Sequence, residues 1–188
     1  SREIGDGQGE GNRLGNLGNA YQSLGQYNAA IEHHTAALAI SREIGDRQGD
    51  GSDLGNLGNA HKALGVDKAI EHITAALAIS REIGDRRGEG SDLGNLGNVY
   101  KSLGQYDKAI EHHTAALAIS REIGDRQGEG SDLGNIGNAY HYLGPYDAAL
   151  EHITTSLAIS REIEDVHGKG NRLANLGQAY HTLGQHDT

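Results

Sequence analysis

The chain has 188 residues, with 26 Asp and Glu against 16 Lys and Arg, for a formal net charge of −10. That acidity excludes nucleic acid, which calls for a basic stripe to replace counterions, and it disfavours anionic membrane for the same reason. Cys, Met, Phe and Trp are absent, so no disulfide framework or thiolate metal site exists, and the core must come from Leu, Ile, Ala and eight Tyr.

In chain order, residues 1–7 read as the tail of a preceding helix, because Ser-Arg-Glu-Ile returns at Ser41, Ser80, Ser120 and Ser160. A second phrase, Asn-Leu-Gly-Asn-Ala-Tyr or a near copy, begins at Asn16, Asn56, Asn95, Asn135 and Asn175. A fixed period of this size marks a stacked repeat array. Full repeats are expected over 8–45, 46–84, 85–124 and 125–164, and residues 165–188 form the first helix of a truncated last repeat. The whole is a single array of about four and a half units.

Each repeat reads as two helices, A and B. Within 46–85, Leu54, Leu57, Ala60, His61 and Leu64 recur at helical spacing, and Leu64-Gly65 is expected to close helix A. Ala69, Ile70, Ile73, Ala76, Leu77 and Ser80 then form helix B, which runs through Ile83 and stops at Gly84. Asp85 stands where the next helix needs a side-chain cap. This repeat is one residue short in its Leu-Gly turn, where a deletion shifts a loop and not a helical face. Pro145 falls in the equivalent turn of a later repeat, where a missing N–H is tolerated.

Helix A carries two interior glycines per repeat, each costing roughly 1 kcal/mol against Ala. One of the two permits close approach of helices A and B. The other (Gly15, Gly55, Gly94, Gly134) has no packing reason legible in the sequence, and Ala174 stands at the last such site.

Leu93-x2-Leu96-Gly97-x2-Tyr100, Leu103-Gly104-x-Tyr106-Asp107-x-Ala109-Ile110 and Ala116-Leu117 together resemble the tetratricopeptide repeat, across essentially the whole chain. His61 replaces the Tyr once, and Ser156 replaces the late Ala. The common form has 34 residues; here Ser-Arg-Glu-Ile-Gly-Asp lengthens helix B. This 40-residue variety resembles the repeats of LGN/Pins spindle-orientation scaffolds and the arrays of bacterial and cyanobacterial multidomain signalling proteins.

The resemblance implies an all-α fold, an α-solenoid of antiparallel helix hairpins stacked into a right-handed superhelix. It also implies a concave groove, lined by helix A, that accepts a partner's segment. The residues then facing the groove are Asn16, Asn19, Asn56, Asn59, Asn95, Asn98, Asn135, Asn138, Asn175 and Gln178. Such a ladder of amides can clamp a peptide backbone irrespective of its side chains. One known form of the groove grips a C-terminal carboxylate with Lys and Arg early in helix A; Ser91 and Asn95 stand at such places here and argue against it. Lys62 and Lys101 add only scattered positive charge.

Chemistry finds little support. His33-His34 and His112-His113 lie in helix B, but adjacent helical residues point about 100° apart and copies in successive repeats are too distant to share an ion. Ile73 and Ile153 occupy the places of His34 and His113 in alternate repeats, which marks a packing position. Glu32, Glu71, Glu111 and Glu151, with Arg42, Arg81, Arg121 and Arg161, recur as solvated faces or inter-helix ion pairs do. No nucleophilic triad, phosphate loop or zinc motif is present, and Gly88-Glu89-Gly90 lacks the strand a phosphate loop requires. The reading is therefore a non-enzyme without cofactor or metal, a scaffold that binds a protein or peptide and forms part of a larger signalling or regulatory protein. The alternative is a structural spacer, or an array whose copies associate end to end through Leu173, Leu176 and Tyr180. Sequence drift over 155–156 and 163–167 argues against an engineered consensus. The apolar runs are too short to span a bilayer and no secretory signal is visible, so a cytoplasmic location is expected.

Overall fold

The computed structural model describes the backbone of residues 2–186 and the side chains of 7–182. These residues form nine α-helices and no strand: α1 Arg2–Ser23, α2 Tyr27–Ile44, α3 Arg47–His61, α4 Val66–Ile83, α5 Arg86–Ser102, α6 Tyr106–Glu122, α7 Arg126–Leu143, α8 Tyr146–Glu162 and α9 Val166–His186. Successive helices pack as antiparallel hairpins, an all-α solenoid architecture. Contacts divide the chain into two compact units, Ser1–Asn95 and Leu96–Thr188, with the division inside α5.

The turns between repeats show why the helices stop where they do. Gly45 takes φ 72°, and its N–H with that of Asp46 returns to the last carbonyls of α2. Only a residue without Cβ adopts that conformation freely. Asp46 then caps α3 by accepting the Gly49 N–H at 2.9 Å, and Asp85, Asp125 and Asp165 do the same for Gly88, Gly128 and Gly168. The last of these turns carries Glu164 at φ 57° where its relatives have glycine.

Residues 2–7 lie within α1, which runs without a break from Arg2 through Ser23. One expectation needs correction. Gly65 does not close helix A: α3 ends at His61, and Gly65 is extended (φ −172°) as the N-cap of α4. The turn one residue shorter leaves no room for the left-handed glycine found at Gly25 (φ 71°) and Gly104 (φ 70°).

The cores are thin layers. In residues 1–95, Leu38 of α2 and Leu54 and Leu57 of α3 bury against Ala76 and Ile79 of α4. In residues 96–188, Leu117 of α6, Leu133 and Ile136 of α7 and Ile159 of α8 form the matching cluster. Each Leu or Ile so buried contributes roughly 1.5–3 kcal/mol. Helix A glycines let the hairpins close: a Cβ on Gly18, Gly58, Gly97 or Gly137 would stand 2.3–2.7 Å from His34, Ile73, His113 or Ile153. Those four side chains are all fully buried, so the histidines do occupy the packing position that isoleucine fills elsewhere.

Polar links fasten each helix B to the helix A that follows. Ser41 and Ser80 donate to Asp53 and Asp92 at 2.9 Å, and Ser120 donates to Asp132 at 3.4 Å. Asp50 is held between Arg42 and Arg47, Glu89 between Arg81 and Arg86, and Glu129 between Arg121 and Arg126. Arg42, Arg81 and Arg121 thus make inter-helix ion pairs, whereas Glu32, Glu71, Glu111 and Glu151 are exposed.

Candidate functional site

Within each unit neighbouring A helices leave a cleft between them, and in residues 1–95 the last turn of the intervening helix B closes one end of it. Between α1 and α3 the cleft measures about 530 Å³ and brings Asn16, Asn19 and Asn56 together. Between α3 and α5 it measures about 330 Å³ and gathers Asn56, Asn59 and Asn95. In residues 96–188, a cleft of about 340 Å³ between α7 and α9 gathers Asn135, Asn138 and Asn175. Asn98 on α5 is half-buried and Gln178 on α9 is exposed, and neither lines these three clefts.

The helical period explains this grouping. Asn16 and Asn19, like each later pair, are three residues apart and share one face, while Leu57, Leu96 and Ile136, adjacent to Asn56, Asn95 and Asn135, turn into the core. Asn56, Asn59, Asn95, Asn98, Asn138 and Asn175 are half-buried, yet among the described residues their side-chain amides make no hydrogen bond to the protein. Asn135 differs, since its Oδ1 accepts from Lys101 Nζ at 2.7 Å. Half-buried amides without internal partners are available to a ligand's peptide groups, each offering two donors and an acceptor.

The floor of the clefts was not legible as a site in the sequence. Asp53 lies beneath the first and Asp92 beneath the second, each pushed up to about 6 by burial, against an opposing pull from the Ser41 or Ser80 hydroxyl. The glycines without a sequence rationale stand opposite them: a Cβ on Gly15 would meet Asp53 Oδ1 at 3.7 Å, and one on Gly55 would meet Asp92 Oδ1 at 3.3 Å. Across from Gly134 the corresponding group is Arg172, which donates to Ser156 Oγ at 2.9 Å and to the Gly130 carbonyl at 3.1 Å. The sequence does carry a signal for this difference, Ser-Asp at 52–53, 91–92 and 131–132 against Asn-Arg at 12–13 and 171–172.

The histidines do not gather. Among the described residues no cluster of three or more His, Cys, Asp or Glu side chains could hold a metal ion. His33, His72 and His112 stack instead on Tyr21, His61 and Tyr100, with ring centroids 5.1–5.2 Å apart. His113 Nδ1 lies 3.0 Å from Asp132 Oδ1, while neither ring nitrogen of His34 has a partner.

The family model for the tetratricopeptide repeat matches residues 11–65, 54–122 and 132–188. The chain belongs to the tetratricopeptide-repeat family. Among solved structures, this repeat array is similar to aspartyl phosphate phosphatase F from Bacillus subtilis (TM-score 0.82, 18% identity, 95% of this chain and 50% of that one). It is similar also to a Rap protein complexed with competence and sporulation factor (TM-score 0.80, 18% identity, 95% of this chain and 50% of that one). A third likeness is to the nearly identical repeats of a putative kinesin light chain from Podosopora anserina (TM-score 0.75, 21% identity, 93% of this chain and 86% of that one). At these identities the likeness shows the fold alone. The chain spans half the length of the phosphatase and Rap relatives. No curated protein matches it.

Proposed function

We propose that this tetratricopeptide-repeat array is a non-catalytic scaffold that holds a segment of a partner protein along its helix-A clefts. The observation that carries the reading is the set of half-buried cleft amides with no hydrogen bond to the protein. These amides are not sealed from solvent, so a ligand's main chain can take the place of the water they would otherwise bond. Recognition through the backbone would make binding tolerant of sequence and dependent on an accessible peptide bond. A Rap protein of the same fold is complexed with competence and sporulation factor, which supports ligand binding by this architecture. The signalling role and cytoplasmic location belong to the same proposal, and no described helix is long and apolar enough to cross a membrane.

The test is selection of peptides from a random displayed library. Peptides held by the wild type are expected to be released by the Asn56→Ala/Asn95→Ala/Asn135→Ala variant, with its circular dichroism unchanged. Equal retention by the variant would remove the amides from the binding surface.

A second reading is association of copies through α9, where Leu173 is 45% and Tyr180 57% exposed. It predicts that Leu173→Glu lowers the mass measured by light scattering, and that the asparagine changes do not.

A further inference from the structure

The two clefts within residues 1–95 are floored by carboxylates that no group among the described residues neutralises. Asp53 and Asp92 are each 7% exposed. One oxygen of each accepts a serine hydroxyl, and the other makes no hydrogen bond among the described residues and lies over the facing glycine. Among the described residues no Lys, Arg or His lines either cleft. Their neighbours are treated differently, for Asp50 and Glu89 are each clasped by two guanidinium groups. Sequestering a carboxylate without a cation is unfavourable, and burial holds both groups up near 6, so they remain largely ionised at neutral pH. Beside each carboxylate, Ile40 and Ile44 or Ile79 and Ile83 offer an apolar wall at the closed end. An apolar wall leading to an unpaired carboxylate matches an alkyl stem ending in a cation.

We propose that these two clefts are subsites for basic side chains of the bound segment, each taking a lysine or arginine whose cation meets Asp53 or Asp92. The inference rests on reading the clefts as the peptide site. The net charge of −10 favours approach of such a partner. The preference is not shared by every repeat, because the cleft between α7 and α9 carries Arg172 at the corresponding place.

The test uses an alternating lysine–alanine peptide, with a norleucine–alanine peptide as its neutral counterpart, followed by nitrogen-15 NMR of the Asn56 and Asn95 side-chain amides. Asp53→Asn/Asp92→Asn keeps an oxygen for each serine and removes the charge. Glu32→Gln/Glu71→Gln removes the same charge from exposed positions. The lysine peptide is expected to bind the wild type and the Gln variant alike, and the Asn variant about tenfold more weakly, the share of one charge-assisted hydrogen bond. Equal binding to the Asn variant, or equal binding of the norleucine peptide, would overturn the basic preference and leave the peptide groove standing. If no peptide moves those amides, both readings fall.

Discussion

Of the four helix-A glycines packed against His34, Ile73, His113 and Ile153, Gly58 has the least room, and alanine there tests how closely the hairpin must close. Its Cβ would stand 2.3 Å from Cγ1 of Ile73 and 3.2 Å from the Ala69 carbonyl oxygen. Carbon atoms in contact sit about 3.5–4.0 Å apart, so α3 and α4 must separate or Ile73 must leave its rotamer. Ile73 is fully buried and cannot swing into solvent. Overpacking of this kind costs roughly 1–3 kcal/mol, and more for so short a contact, while replacing a helical glycine by alanine returns about 1 kcal/mol. A net loss of about 1–2 kcal/mol is expected. Gly177 occupies the matching position in α9, where nothing lies within 4 Å of an added Cβ. There the helix term acts alone, and alanine is expected to stabilise by up to about 1 kcal/mol. Urea denaturation followed by circular dichroism provides the comparison. Stability in a stacked array is distributed over its units, so the midpoint and steepness of the transition are both recorded. Gly58→Ala should lower the midpoint and Gly177→Ala raise it. Shifts of the same sign at both sites would refute the steric account.

His34→Ile should stabilise the array by about 1–3 kcal/mol, because a buried ring with two unpartnered nitrogens gives way to the residue found at 73 and 153. Burial, helped by His33, lowers the His34 pKa below 6.5, so the unfolded chain takes up the proton first and wild-type stability falls as pH drops below that value; the isoleucine variant should lack this slope in denaturation series. Asp53→Asn works in the opposite sense. The carboxyl rises from 3.8 to about 6 on folding, which disfavours the folded state by up to about 3 kcal/mol at neutral pH, and this cost fades as pH falls from 6 to 3.8. The variant should therefore exceed the wild type at pH 7 and converge with it near pH 4, and a gap that persists in acid would contradict the assignment. Glu164→Gly should raise the thermal midpoint, relieving roughly 1 kcal/mol of left-handed strain at φ 57°.

The order and type of the helices were readable from the sequence, because a period of about 40 residues, helical spacing of Leu and Ala, and Gly-Asp at every repeat boundary but the last are local signals. The exchange of His34 and His113 with Ile73 and Ile153 likewise revealed a packing position without coordinates, since only a shared cavity would accept both side chains. The asparagines could be placed on one face of helix A from their spacing. That they lack internal partners could not be known, because a side-chain amide finds its partners in neighbouring helices. The same limit hid the surroundings of Gly15 and Gly55, which face carboxylates 38 and 37 residues further along the chain, at Gly55 closely enough that a Cβ would crowd Asp92. It also hid the outcome at Gly65, where a one-residue deletion changed the backbone conformation while the helical pattern on either side persisted. Sequence alone determined the repeating unit, since hydrophobic period and turn chemistry act over a few residues. Only the tertiary structure decided what stands across each cleft, because burial, charge pairing and steric clearance depend on helices brought together from adjacent repeats.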